Sequence, residues 1–200
     1  MAKKIKDQKV GDFLEAIAST KPVPGGGSAS ALAGAIAASL LVMVTGLTIG
    51  KEKYQEVEAR VSKLAKEAEK LLAELLDLAD QDAKAYLEVV EAYRLPKDSD
   101  TSSYRGEEIQ KAYKTAAAVP LKTAQKSLKV LIMAAWLAEN GNKFARSDAL
   151  VAIELAQAAI YGALENVRIN LPYIEDKQFT ADLEKKIDQV SSGAKKLVRL

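Results

Sequence analysis

The sequence predicts an all-α, single-domain helical bundle over residues 1–200, with one long heptad-patterned helix and one buried small-residue helix. Three observations carry this. All five prolines fall at plausible element boundaries. No stretch combines period-two alternation with β-branched richness and turn signals. A long apolar seam alternates four and three residues apart, the spacing of packed helices. At 200 residues, 48% hydrophobic and 28% charged, the chain suits one packed core.

The first helix is expected over Val10 to Ser19, with Phe13, Leu14 and Ile17 on its apolar face. The loop Lys21-Pro22-Val23-Pro24-Gly25-Gly26-Gly27 follows, then an uncharged helix from Ser28 to Leu47 with Ser28 as N-cap. Its large apolar residues recur at Leu32, Ile36, Leu40, Met43 and Leu47, and about half of all its residues are Ala, Gly or Ser. Such a helix suits either a membrane or the centre of a bundle. With a single such segment and amphipathic helices elsewhere, the bundle is the expectation.

The longest element runs from Glu52 to Leu95, before Pro96. Its seam is Val57, Val61, Leu64, Ala68, Leu71, Leu75 and Leu78, and the same count continues through Asp82, Ala85, Val89 and Ala92. A carboxylate thus falls on an apolar seam. The polar loop Lys97 to Ser103 leads to a helix from Gly106 to Ala118, where Pro120 either kinks it or starts another reaching Glu139. Asn140-Gly141-Asn142 ends that helix, and Ser147-Asp148 starts the next, which runs to Leu171 with Asn166 and Asn170 on one face. The last helix starts at Thr180, with its seam at Leu183, Ile187, Val190, Ala194 and Leu197.

The absences narrow the chemistry. Without cysteine there is no disulfide framework and no thiolate nucleophile. Without histidine there is no Ser-His-Asp or Cys-His triad and no zinc-activated water of the usual kind. Acid-base work falls to Asp, Glu, Lys, Tyr or the substrate. The net charge of +2 suggests neither a nucleic-acid nor a membrane-surface partner. The basic start (Lys3, Lys4, Lys6) runs into Asp7, Lys9 and Asp12 rather than an apolar segment, so no secretory signal is expected and a cytoplasmic location is.

Three features invite a ligand. The glycine-rich loop Pro24 to Ser28 offers free backbone N–H groups to an anion, or serves only as a tight approach to the following helix. Asp82, if it stays on the seam, must be paired or have its pKa raised; if the seam rotates there, it is a surface group. Asn166 and Asn170 suggest a hydrogen-bonding task, or satisfy each other and the backbone. Ser147 and Asp148 fit helix capping equally well. Lys51, Lys53 and Arg105 matter only if the ligand is anionic.

Taken together, Pro22-Val23-Pro24-Gly25-Gly26-Gly27-Ser28, Leu47-Thr48-Ile49-Gly50-Lys51 with Tyr54, and Asp82-Ala83-Lys84-Ala85-Tyr86 form a recognisable series. Val119-Pro120-Leu121, Gly141-Asn142 with Ser147-Asp148, and Asn166-Val167-Arg168-Ile169-Asn170-Leu171 extend it. The series resembles the formiminotransferase-cyclodeaminase C-terminal domain family, which includes stand-alone methenyltetrahydrofolate cyclohydrolases. Val23 departs from the Pro-Thr-Pro of many members.

The resemblance implies an all-helical homodimer acting on a tetrahydrofolate derivative, which is substrate rather than cofactor, with no metal. The reaction implied is cyclodeamination of 5-formiminotetrahydrofolate to 5,10-methenyltetrahydrofolate and ammonia; the alternative is cyclohydrolase action to 10-formyltetrahydrofolate. Within that resemblance Asp82 takes the proton-transfer role and Gly25, Gly26, Gly27 and Ser28 give close backbone approach. Asp148, Asn166 and Asn170 read the pterin edge, and Lys51, Lys53 and Arg105 hold the glutamate tail. A rival from another class is a non-catalytic folate-binding or scaffold protein. It would leave the long seam exposed.

Overall fold

The computed structural model describes residues 4–97 and 102–197. Lys3 and the greater part of the Lys97 to Ser103 loop lie outside the described residues. Among the described residues there is no strand. The helices are α1 (Val10–Ile17), α2 (Gly26–Thr48), α3 (Glu58–Arg94), α4 (Ser102–Asn140), α5 (Arg146–Arg168) and α6 (Lys177–Leu197). Short 3₁₀ turns at Ile5–Asp7, Glu52–Val57, Lys143–Ala145 and Leu171–Tyr173 link them.

Helices α2 to α5 form the core of the bundle, and α6 packs mainly on α4. Directions follow from close approaches. Gly27 lies against Asp82 and Gly34 against Leu75, so α3 runs antiparallel to α2. Gly26 meets Asn166 and Gly162 meets Ser30, so α5 does too. Gly34 meets Ser127 and Gly141 meets Val44, which makes α4 parallel to α2.

Small residues set these distances. The buried face of α2 is Ala31, Gly34, Ala35, Ala37, Ala38, Leu41 and Val44, and that of α5 is Ala149, Ala152, Ala156, Ala159 and Ala163 with Ile160 and Leu164. Backbones can therefore approach closely, while the volume comes from the seam of α3. That seam holds: Val61, Ala68, Leu71, Leu75, Leu78, Ala85 and Ala92 are buried. The seam of α6 holds as well, at Leu183, Ile187, Val190 and Ala194.

Several boundaries differ from the sequence reading for identifiable reasons. Helix α2 starts at Gly26, two residues earlier, so Ser28 is a buried interior residue and not the N-cap. Of the large apolar residues that recur along α2, Ile36, Met43 and Leu47 are exposed, while Leu32 and Leu40 are half-buried against the core, because the face richest in small residues turns inward. On α1 only Phe13 is buried, and Leu14 is exposed. Residues 52–57 form a 3₁₀ turn, interrupted at Tyr54 (φ −115°, ψ 15°), which delays α3 to Glu58.

Pro120 starts no new helix but sits inside the continuous α4. Ser147 lies within the first turn of α5, whose N-cap is Ala145. That helix stops at Arg168, before the 3₁₀ turn at Leu171. Helix α6 opens at Lys177 because Asp176 Oδ1 accepts the Phe179 amide at 3.0 Å.

One core contact is polar and unmatched. Ser127 Oγ is buried without a hydrogen-bond partner among the described residues, and a Cβ at Gly34 would stand 2.6 Å from it. Ser127→Ala is expected to leave stability unchanged or raise it by up to about 1 kcal/mol, since no hydrogen bond is lost. Gly34→Ala should cost about 1–3 kcal/mol through overpacking. Urea unfolding measures both, and a clear loss in Ser127→Ala would show that its hydroxyl is satisfied after all.

Candidate active site

Where the N-terminus of α2 meets α3, α4 and the C-terminus of α5, the helices leave a cavity of about 680 Å³. Gly25, Gly26 and Gly27 line one side, Asp82 and Tyr86 a second, Tyr113 and Ala116 a third, and Asn166 and Asn170 the fourth. A larger opening of about 1140 Å³ adjoins it and shares Tyr93, Tyr113 and Tyr173. The smaller cavity is the candidate site, because it alone of the two is lined by Asp82, a partly buried carboxyl group whose pKa is raised, beside the glycine loop.

The glycine loop does one thing no other sequence could. A Cβ on Gly27 would overlap Asp82 Oδ1 and lie 2.6 Å from Oδ2, so only glycine admits that carboxyl group against the backbone. The N-cap of α2, Gly25, has no side chain to bond the free amides of the first turn. Asp82 reaches across from α3 to that end instead.

Ser28 ties the two together: its hydroxyl is hydrogen-bonded to Ala79 O at 2.9 Å and Asp82 Oδ2 at 3.1 Å. Burial pushes the Asp82 pKa above the ordinary carboxylate value, against the Ser28 hydroxyl and amide, which pull it down. The result is a carboxyl group that holds a proton more readily than a surface Asp and is accessible from the cavity.

Pro120 contributes from a distance. Lacking an N–H, it cannot bond the carbonyl of Ala116 one turn back. That oxygen instead accepts from Asn170 Nδ2 at 3.2 Å, and Nδ2 also donates to Asn166 O at 2.8 Å. Asn166 Nδ2 donates to Gly162 O at 2.8 Å. Both amide nitrogens are therefore committed to the backbone, while the two Oδ1 atoms accept no hydrogen bond among the described residues. Two carbonyl acceptors thus stand ready for donors of a ligand.

A tyrosine wall closes the far side. Tyr113 and Tyr173 stack with centroids 4.9 Å apart and planes 10° from parallel, and Tyr93 meets Tyr113 edge-on with hydroxyls 3.3 Å apart. Burial and the Tyr93 hydroxyl push the Tyr113 phenol up, so it stays protonated. Sequence reasoning missed these rings. Tyr86, Val89, Val90 and Tyr93 were findable, since they continue the Asp82 face of α3 at helical spacing. Tyr113 and Tyr173 arrive from other elements and carried no local signal.

Three expected ligand residues, Lys51, Lys53 and Asp148, lie far from this cavity within one chain, and a fourth, Arg105, stands over its Tyr93 ring without lining it. Lys51 and Lys53 follow the C-terminus of α2, about 34 Å along the helix from Gly26. Asp148 starts α5 at that same far end, where Asn142 bonds Leu47 O and Thr48. Arg105 closes the C-terminus of α3 by donating to Leu95 O and Tyr93 O, each at 3.2 Å. Among the described residues, no three His, Cys, Asp or Glu side chains stand close enough to hold a metal ion.

Gly27→Ala should force Asp82 out of its place and cost about 1–3 kcal/mol. In an Asp82→Ala background the same methyl group should cost little. Thermal unfolding of the two single variants and the double variant gives the coupling, and strictly additive losses would mean that position 27 and Asp82 do not touch.

The chain matches the family model described as formiminotransferase-cyclodeaminase over residues 9–189. It is 38% identical over 189 residues to the methenyltetrahydrofolate cyclohydrolase of Methylorubrum extorquens, covering 94% of this chain and 91% of that protein. It is 30% identical over 187 residues to the formimidoyltransferase-cyclodeaminase of Gallus gallus, covering 93% of this chain and 35% of that longer protein. The crystal structure of formiminotetrahydrofolate cyclodeaminase from Thermotoga maritima superimposes with a TM-score of 0.89 at 29% identity, covering 98% of this chain and 94% of that one. With matching family, matching fold and a site formed by the motifs that carry the resemblance, the chain belongs to the formiminotransferase-cyclodeaminase family of folate one-carbon enzymes.

Proposed function

We propose that this chain closes the N5–N10 bridge of tetrahydrofolate by cyclodeamination, converting 5-formiminotetrahydrofolate to 5,10-methenyltetrahydrofolate and ammonia. The observation that carries the reading is Asp82, one carboxyl group of raised pKa beside a helix N-terminus and two free amide acceptors. The formimino group enters protonated, as N5–CH=NH2+; N10 attacks its carbon, and the N10 proton passes to the Asp82 carboxylate. The same carboxyl group then returns that proton to the departing nitrogen as the C–N bond breaks. Proximity within the folate supplies much of the acceleration, so one shuttling acid-base group suffices. The Oδ1 atoms of Asn166 and Asn170 accept from the pterin's N–H groups. Tetrahydrofolate is the substrate in this scheme, with no cofactor or metal, and the location proposed is cytoplasmic.

A second reading is hydrolysis of the methenyl bridge to 10-formyltetrahydrofolate, favoured by the full-length similarity to a cyclohydrolase. Water adds to the methenyl carbon and gives one proton to Asp82; the N5–C bond breaks as N5 takes that proton, and the remaining hydroxyl proton leaves to solvent as the formyl C=O forms. Parallel incubations with 5-formimino- and 5,10-methenyltetrahydrofolate, followed by methenyl absorbance and ammonia release, separate the two. No turnover of either compound would leave a non-catalytic folate-binding protein.

Asp82→Asn keeps the shape but not the proton. Turnover should fall about a hundredfold or more, with folate affinity far less changed. Stability follows a definite sign. A carboxyl group whose folded pKa is raised destabilises the fold progressively as pH rises from its usual value of 3.8 through the folded pKa. The Asn variant should therefore match the wild type in acid and be more stable at neutral pH. Normal turnover would remove Asp82 from catalysis, and a neutral-pH loss of stability would make it a structural cap of α2.

The exposed apolar ridge of α2 supports a homodimer, because an uncharged helix face that size is rarely left in water. Sedimentation equilibrium at micromolar concentration should give twice the 21.5 kDa chain mass. A monomer would refute it.

A further inference from the structure

The tyrosine wall takes no part in the proton shuttle, and it is not core packing either. Tyr86, Tyr93 and Tyr173 are 45%, 46% and 53% exposed, and all three line the cavity that holds Asp82. Tyr93, Tyr113 and Tyr173 also line the adjoining larger opening, so they stand at the way out of the cavity. Tyr113 comes from α4, whereas Tyr173 comes from the 3₁₀ turn that follows α5. A half-exposed ring on so short a turn, stacked within 10° of parallel on its neighbour, needs the backbone beneath it held in place.

Gln110 holds it. Its Nε2 donates to Tyr173 O at 3.1 Å, and its Oε1 accepts from the Glu175 amide at 2.9 Å. One planar side-chain amide thus closes on the backbone on both sides of Ile174. One turn further along α4, Lys114 Nζ pairs with Asp176 Oδ2 at 2.8 Å and lies over the Phe179 ring. Gln110, Tyr113 and Lys114 share one face of α4 at helical spacing, and each grips part of the segment 173–179.

The folate reading says what this wall would meet. In it the pterin edge lies at Asn166 and Asn170, and N10 stands at Asp82. The aminobenzoyl ring is bonded to N10, so it lies on the side of Asp82 that leads out, past the tyrosines. A flat ring there gains from an exposed aromatic face.

We propose that Tyr113 and Tyr173 form a stacking platform for the aminobenzoyl ring of the substrate, and that Gln110 is the positioning residue that holds Tyr173 in it. This rests on the folate reading for the ring and on the two hydrogen bonds of Gln110 for the clamp.

Gln110→Leu keeps the bulk of the side chain and removes both hydrogen bonds. Hydrogen exchange followed by NMR should show the Glu175 amide exchanging about tenfold faster, with the amides in the middle of α4 unchanged. On the folate that the wild type turns over, KM should rise about fivefold, with kcat changed less than about twofold. The comparison compound is a tetrahydropterin carrying the same one-carbon group, with a methyl group on N10 in place of the aminobenzoyl ring. Its KM should rise less than about twofold, because it has no ring to meet the platform. Adding Gln110→Leu to Tyr173→Ala should cost little beyond Tyr173→Ala alone, since the one residue acts through the other.

An unchanged KM for the folate, an equal rise for both compounds, or additive losses in the double variant would overturn the platform. An unchanged Glu175 amide would overturn the clamp. Wild-type protein inactive on both folates would instead sink the functional reading and the ring contact with it, while hydrogen exchange still decides the clamp.

Discussion

The contact between Gly27 and Asp82 governs the rest of the site. A carboxyl group lies where any other residue's Cβ would stand, over the start of a helix that has no cap of its own. Two forces act on its proton in opposite senses. The helix N-terminus and Ser28 favour the charge, whereas loss of water disfavours it, and burial wins. A surface Asp would be too weak a base and too strong an acid for a proton shuttle near neutrality, and a fully enclosed one could not meet a substrate. Partial burial at the end of α2 lies between these limits.

The other walls depend on that end of the bundle being held open and in register. Asn170 is anchored through a carbonyl that Pro120 leaves unbonded inside a continuous helix. The local loss of one helical hydrogen bond in α4 thereby becomes an orientation device for a side chain beyond the end of α5. Gly26 and Gly27 play the corresponding part on the opposite side, by omitting side chains that would fill the cavity. Two omissions, one of an N–H and one of Cβ atoms, create the space and fix its acceptors.

Helix α2 serves both faces of this design with one composition. Its small residues bring α3, α4 and α5 close enough to place Asp82 and the Asn pair around its first turn. Three of its large residues, Ile36, Met43 and Leu47, face outward while small residues fill most of the inner face, unlike an ordinary amphipathic helix. Tight packing within the chain is thus coupled to an apolar exterior that calls for cover.

Helical class, the seams of α3 and α6, and the position of Asp82 on the α3 seam were legible in the sequence, because each depends on spacing along one helix and period is a local property. The glycine loop and the Asn pair were legible for the same reason, as residues whose local cost needs an explanation. Other features were decided only by tertiary structure. Nothing local says which stripe of an uncharged helix turns inward; that follows from whether neighbouring backbones pack at Ala-sized or Leu-sized distance, and the small face won. Pro120 reads as a kink or a new start, and only the fold shows Asn170 taking up the Ala116 carbonyl that it leaves orphaned. Lys51 and Asp148 read as members of one site until the length of α2 sets them at its other end. Tyr113 and Tyr173 come together only through α4 and the turn after α5. Distances across a bundle depend on how several helices pack at once, and no single stretch of sequence contains that information.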